Sequence, residues 1–158
     1  MKSKSYLLIV ASFFISSLTS CDKDDDDKPD NTNIVKKTGL AVTGAQEVPA
    51  KTSPATGTLD VSYDKSTKML SFTVNWQSLT GNPSGAHIHG TAAKGSNASI
   101  KYDFFSIFPA TTTGTFSNTV VVDGTKLKED SLLAGFYYLN IHTPTNPGGE
   151  IRGQIEFQ

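Results

Sequence analysis

Between Met69 and Trp76 the side chains change character at every step. Leu70, Phe72, Val74 and Trp76 fall on one parity, and Ser71, Thr73 and Asn75 on the other. Side chains repeat every two residues only in extended backbone, so this pattern predicts a strand with one apolar and one polar face. An amphipathic helix needs a period near 3.6 and is excluded there. A strand of this kind cannot bury its apolar face alone, so the rest of the chain must supply further strands.

The sequence offers them in short runs separated by Gly, Pro, Asn and Ser. Val35 to Thr43 is the first, and Gly57 to Tyr63 the second, with Leu59 and Val61 on one face. Between them, Gln46 to Ala55 reads as a proline-containing loop. Asp64 to Lys68 is a polar turn. Gly81-Asn82-Pro83 breaks the chain before a strand at residues 85–90. Ser99 to Phe105, Thr115 to Val122 and Phe136 to His142 follow. Glu150 to Phe157 closes the set, with Ile151, Ile155 and Phe157 on one face and Glu150, Arg152, Gln154 and Glu156 on the other. Lys126 to Leu133 is the one predicted helix, a turn or two ended by Gly135. The expected class is all-β: an antiparallel β-sandwich or barrel of about eight strands with one short helix.

The first 33 residues do not share this pattern. Lys2 and Lys4 precede an apolar stretch from Tyr6 to Ile15, too short for a spanning helix of about 20 apolar residues. Leu18-Thr19-Ser20-Cys21 resembles a bacterial lipobox. That resemblance implies lipidation at Cys21, a membrane anchor there, and a signal peptide over residues 1–21. Cys21 is the single cysteine, so no intramolecular disulfide and no thiolate metal site is expected in the folded part. Cleavage would remove two of the 14 basic residues and none of the 15 acidic ones, moving the net charge from −1 to −3. The acidic run Asp22 to Asp27 and the stretch to Asn33 form a tether over residues 22–33. An acidic run directly after a lipidated cysteine resembles the surface-export signal of Bacteroidota lipoproteins. It implies an outer-membrane lipoprotein of the cell envelope, exposed at the surface. The folded domain then spans residues 34–158.

Three histidines are the candidate chemistry. His87 and His89 in Gly85-Ala86-His87-Ile88-His89-Gly90 share one face of their strand, with Ile88 opposite. His142 falls on the polar parity of its own strand, with Tyr138 and Asn140, while Tyr137, Leu139 and Ile141 take the other. Two or three imidazoles on one face can hold a copper or zinc ion at roughly 2.0–2.1 Å. The same residues could equally be the wet face of a sheet. Glu150 lies across a short loop from His142, where a carboxylate could fix an imidazole's tautomer. Its companion Arg152 is the other candidate supporting group, and a surface ion pair between the two is the plain alternative.

Gly44-Ala45-Gln46-Glu47-Val48-Pro49, Gly85 to Gly90, and Tyr138 to Thr143 through Asn146-Pro147-Gly148-Gly149-Glu150-Ile151-Arg152-Gly153 together resemble the CHRD domain, named from chordin. The resemblance runs from about Leu40 to Phe157. It implies an immunoglobulin-like sandwich in an extracytoplasmic protein and leaves the activity open. The His-x-His strand also looks like the copper strand of Cu/Zn superoxide dismutase, but three histidines are too few for that dinuclear site.

Nothing in the net charge of −1 favours a nucleic-acid partner. No nucleophile elbow and no phosphate-binding glycine loop is present. The leading expectation is a lipid-anchored binding or structural module with a protein or glycan partner, holding one copper or zinc ion through His87, His89 and His142. A mononuclear copper redox enzyme with an open coordination position is the second reading. An adhesion module without metal is the third.

Overall fold

The computed structural model describes residues 33–158. Cys21, the expected signal peptide and all but the last residue of the expected tether lie outside them. The described residues form eight strands: β1 (Ile34–Thr43), β2 (Thr56–Asp64), β3 (Met69–Gln77), β4 (Gly85–Gly90), β5 (Ile100–Asp103), β6 (Gly114–Val121), β7 (Tyr137–His142) and β8 (Ile151–Ile155). One helix, α1 (Glu129–Leu133), precedes β7. The strands make one curled antiparallel sheet in the order β5-β4-β7-β8-β1-β2-β3-β6. The all-β class with one short helix is therefore as expected.

β3 is the strand the alternation predicts. It pairs with β2 along its whole length and with β6 on its other side. Leu70, Phe72, Val74 and Trp76 are at most 3% exposed. The Asp64 carboxylate accepts the backbone N–H groups of Ser66 and Thr67 and so closes the β2–β3 turn. The core is rich in aromatic rings. Trp76 stacks on Phe108 at 4.6 Å between centroids, and Phe104 lies 5.4 Å from Phe116 and 5.5 Å from Phe72. Ala86, Ile88, Leu139, Ile141, Ile151 and Ile155 from the other half of the sheet join the same core.

The two halves thus cover each other as layers of a sandwich do, yet they remain one sheet. The seam is the pairing of Thr43 on β1 with Arg152 on β8. Gly153 lies beside it, where a β-carbon would come within 2.8 Å of Val42 Cγ2 and 3.0 Å of the Ala41 carbonyl oxygen. The absence of a side chain lets the sheet fold over so tightly.

Several boundaries differ from the expected ones. β5 ends at Asp103 because Phe105–Ile107 turns into a 3-10 helix. α1 begins only at Glu129. Its end is as read: Gly135, at φ 74°, donates to the Leu132 carbonyl, and Phe136 donates to that of Ser131.

The larger departure concerns β7 and β8. Their polar parities are not solvated: Tyr138 and Asn140 are 3% and 2% exposed, and Arg152 and Gln154 are 1% and 2% exposed. Two loops roof this outer face. Residues 44–55 carry Glu47 over Asn140, and residues 91–99 bring Ser96, Asn97 and Ala98 over Arg152, Tyr138 and His89. Asn97 Nδ2 donates to the Val48 carbonyl and ties the loops together.

Candidate metal centre

Cross-strand register assembles the site. His87 on β4 faces Asp103 on β5 and Asn140 on β7, and Asn140 faces Arg152 on β8. One step along, His89 pairs with Tyr138, and Gly85 pairs with His142. All these positions share the roofed face. Gly85 has a specific steric reason. A β-carbon there would lie 3.0 Å from His87 Cε1 and 3.2 Å from His142 Cδ2, so a larger residue would push the two rings apart.

The three imidazoles converge. One ligating nitrogen from each lies within 4.8 Å of the others. His87 Nδ1 is 3.0 Å from His142 Nε2. Two bonds near 2 Å reach at most about 4 Å between donor atoms, so the 3.0 Å pair is within reach of one ion and the widest separation closes with a side-chain shift of about 1 Å.

The hydrogen bonds around the rings determine which nitrogens carry lone pairs. His89 Nδ1 is 2.9 Å from the Ala98 carbonyl oxygen, and His142 Nδ1 is 3.0 Å from that of Pro147. A carbonyl oxygen only accepts, so both Nδ1 atoms donate. In neutral imidazole the Nε2 atoms then hold lone pairs. His89 Nε2 is buried and has no hydrogen-bond partner. His142 Nε2 faces His87 Nδ1 and, at 3.0 Å, Asn140 Oδ1.

The rings are held neutral. Burial first, then the neighbouring His142, pushes the His87 pKa down to about 4. Burial also lowers His89 and His142. The Arg152 charge adds to the lowering at His89. Arg152 reaches His89 through an aromatic ring: its guanidinium lies 3.3 Å from the Tyr138 ring centroid, and His89 stacks on the same ring at 4.8 Å.

The other supporting residue anticipated from the sequence is placed differently. Glu150 is fully buried, and its carboxylate accepts from Ser53 Oγ, Thr143 Oγ1, Thr80 Oγ1 and Thr80 N at 2.6–3.0 Å. Burial alone would raise its pKa, but these donors outweigh it and hold the carboxyl below its ordinary value. Its bonds fasten the 44–55 loop, the loop after β3 and the start of the β7–β8 connection to one another, and none of them goes to a histidine. The alternative of a surface ion pair with Arg152 does not hold, because both groups are buried and Arg152 donates instead to Ser96 O, Asn97 Oδ1 and Gln154 Oε1.

Two residues beside the rings are not singled out by the sequence reading. Asn140 sits between the histidines and Glu47, and its Nδ2 lies 3.5 Å from Glu47 Oε1. Glu47 is 5% exposed, and burial raises its carboxyl to about 7 against the opposing pull of Arg152 and Asn140. Gly149, at φ +120°, makes room for this pair: a β-carbon there would lie 2.3 Å from Glu47 Oε1 and 2.9 Å from Asn140 Nδ2. The sequence signal was present in the motif Gly44 to Pro49, whose one acid is Glu47, and in the polar parity of β7, which holds Asn140.

A curled antiparallel sheet with three histidines clustered on one face defines an all-β module with a candidate metal site. Residues 39–155 match the CHRD domain family, and the chain belongs to that family. No curated protein and no solved structure matches the chain.

Proposed function

We propose that this protein is a lipid-anchored, extracytoplasmic CHRD-domain module that binds one copper or zinc ion through His87, His89 and His142. The observation that carries the reading is the lone pair on His89 Nε2, buried without a partner beside a second lone pair on His142. A neutral imidazole cannot satisfy both of its nitrogens there, and its lowered pKa opposes the imidazolium that would. A cation shared by the three rings relieves the conflict. The half-buried setting, with no nucleophile among the clustered side chains, favours a binding or structural role over catalysis, with a protein or glycan partner outside the cell. The Lys2-to-Cys21 pattern supports a lipid anchor, and the acidic run Asp22 to Asp27 supports the outer membrane as its place.

Titration of the purified protein with Zn2+ and Cu2+ tests the site. One equivalent should bind to wild type, and His87→Ala, His89→Ala and His142→Ala should each weaken binding by at least about tenfold. Unchanged stoichiometry and affinity in all three variants would return these histidines to a purely structural role. Anchoring is tested separately: Cys21→Ala should move the protein from the membrane fraction to the soluble one.

A further inference from the structure

The three-histidine reading leaves a fourth coordination position, and Asn140 stands beside it. We infer that the Asn140 side-chain oxygen is the fourth donor, aimed at the ion by Glu47, so that the centre is a closed site of three nitrogens and one oxygen for a divalent cation. The inference rests on the metal-binding reading above.

The geometry of one amide carries it. Asn140 is 2% exposed and has no freedom to turn its polar end to water. Its Nδ2 lies 3.5 Å from Glu47 Oε1, an oxygen that accepts both in the carboxylate and, with the proton on Oε2, in the neutral acid. Its Oδ1 therefore points the other way, to 3.0 Å from His142 Nε2. That nitrogen also carries a lone pair, because Nδ1 donates to Pro147. Two acceptors at hydrogen-bond distance with no proton between them repel each other, whereas two ligands of one cation sit together without penalty. The β-sheet register makes the arrangement rigid: Asn140 is the direct cross-strand neighbour of His87 and lies two residues from His142 on the same face. Gly149 leaves the space that lets Glu47 reach the amide.

The donor set also selects the ion. Three imidazoles and a neutral amide oxygen are borderline and hard donors, with no sulfur among them. Such a set suits Zn2+ or Cu2+ and disfavours Cu+, which prefers thiolate or thioether ligands. A protein oxygen in the fourth position also keeps water from it, which fits a holding site better than an exchanging one.

Electron paramagnetic resonance of the Cu2+-loaded full-length protein, with deuterium modulation measured in D2O, reads the fourth donor directly. Wild type should show coupled imidazoles and no equatorial water. Asn140→Ala should admit an equatorial water, change the Cu2+ spectrum and weaken Cu2+ and Zn2+ binding by about 10–100-fold. Asn140→Asp, which keeps an oxygen in place, should bind at least ten times more tightly than Asn140→Ala. Glu47→Gln can satisfy either orientation of the Asn140 amide. It should shift the spectrum partway, with a smaller loss of affinity. An equatorial water in wild type overturns the assignment without any variant. So does a folded Asn140→Ala protein whose spectrum and affinity match wild type. If His89→Ala loses the ion while Asn140→Ala does not, only the Asn140 assignment fails. If wild type takes up neither ion, the three-histidine reading fails with it.

Discussion

On the β1-β2-β3-β6 half of the sheet, the outward parity is a lattice of hydroxyls open to water. Ser71 bonds Thr119 at 2.9 Å across β3 and β6, and Thr73 bonds Ser117 at 2.7 Å. On the β5-β4-β7-β8 half, the same parity carries His87, His89, Tyr138, Asn140, Arg152 and Gln154, and loops cover most of it. The backbone rule is identical in both halves. What differs is whether a third layer lies over the strand. Water can satisfy any polar group on the open face, so its identity hardly matters. Under the roof each polar group needs a protein partner, and the groups left without one mark the candidate site.

The largest expected effects test the core that the halves share. Phe72→Ala and Trp76→Ala should each cost about 3–5 kcal/mol in denaturant unfolding, since both side chains are almost fully buried among aromatic rings. A cost near that of a surface change would mean that the halves do not close on each other.

The next effect separates the two outer faces. Arg152→Ala should cost about 2–4 kcal/mol, because it empties a buried place beside Tyr138 and leaves Ser96 O and Gln154 Oε1 without their donor. On an open face an arginine truncation changes stability by less than about 0.5 kcal/mol. A change that small at Arg152, measured by the same unfolding curve, would show that the roof does not hold in solution.

Much of this was legible in advance, for a physical reason. Alternation reports the local period, so β3 and the inward residues Leu59, Val61, Ile88, Leu139 and Ile151 could be read directly. His87 and His89 share a face for the same reason. The roof could not be read. Residues 44–55 and 91–99 have no period, and the bonds that seat them, such as His89 to Ala98 and Asn97 to Val48, are set by the fold of the whole chain. Without the roof, Arg152 and Gln154 look like ordinary surface groups. Glu150 shows the same limit at a turn. Its place opposite His142 suggested a contact, but its carboxylate goes to Ser53, Thr80 and Thr143.

Glu47 sharpens the comparison by pH. Its folded pKa, about 7, lies above the ordinary carboxyl value, so between the two the native state binds the extra proton. Stability from this group is complete below the unfolded pKa, near 4.3, and is lost as pH rises through about 7, by up to about 3 kcal/mol. The histidines act in the opposite sense. Their folded pKa values are lowered, so the metal-free protein should lose stability as pH falls below about 6.5. Unfolding curves of metal-free wild type and Glu47→Gln between pH 4 and 8 check the sign. The difference between them should change steadily across that range, and a constant difference would mean that Glu47 titrates as an exposed acid does.

The smallest expected effect is the control that gives the others meaning. Thr73 stands on the outward parity of β3, and its hydroxyl meets that of Ser117 on an exposed surface. In Thr73→Ala, water replaces the lost partner on both sides, so no buried group is stranded. The remaining cost is the lower strand preference of alanine and the loss of one cross-strand pair, each a few tenths of a kcal/mol. The total should stay under about 1 kcal/mol, several-fold below Arg152→Ala at the equivalent parity of the other half. If Thr73→Ala costs as much as Arg152→Ala in the purified protein, the hydroxyl lattice is itself covered in solution. The two faces would then differ only in what covers them: a loop of the same chain on one, and a second molecule on the other.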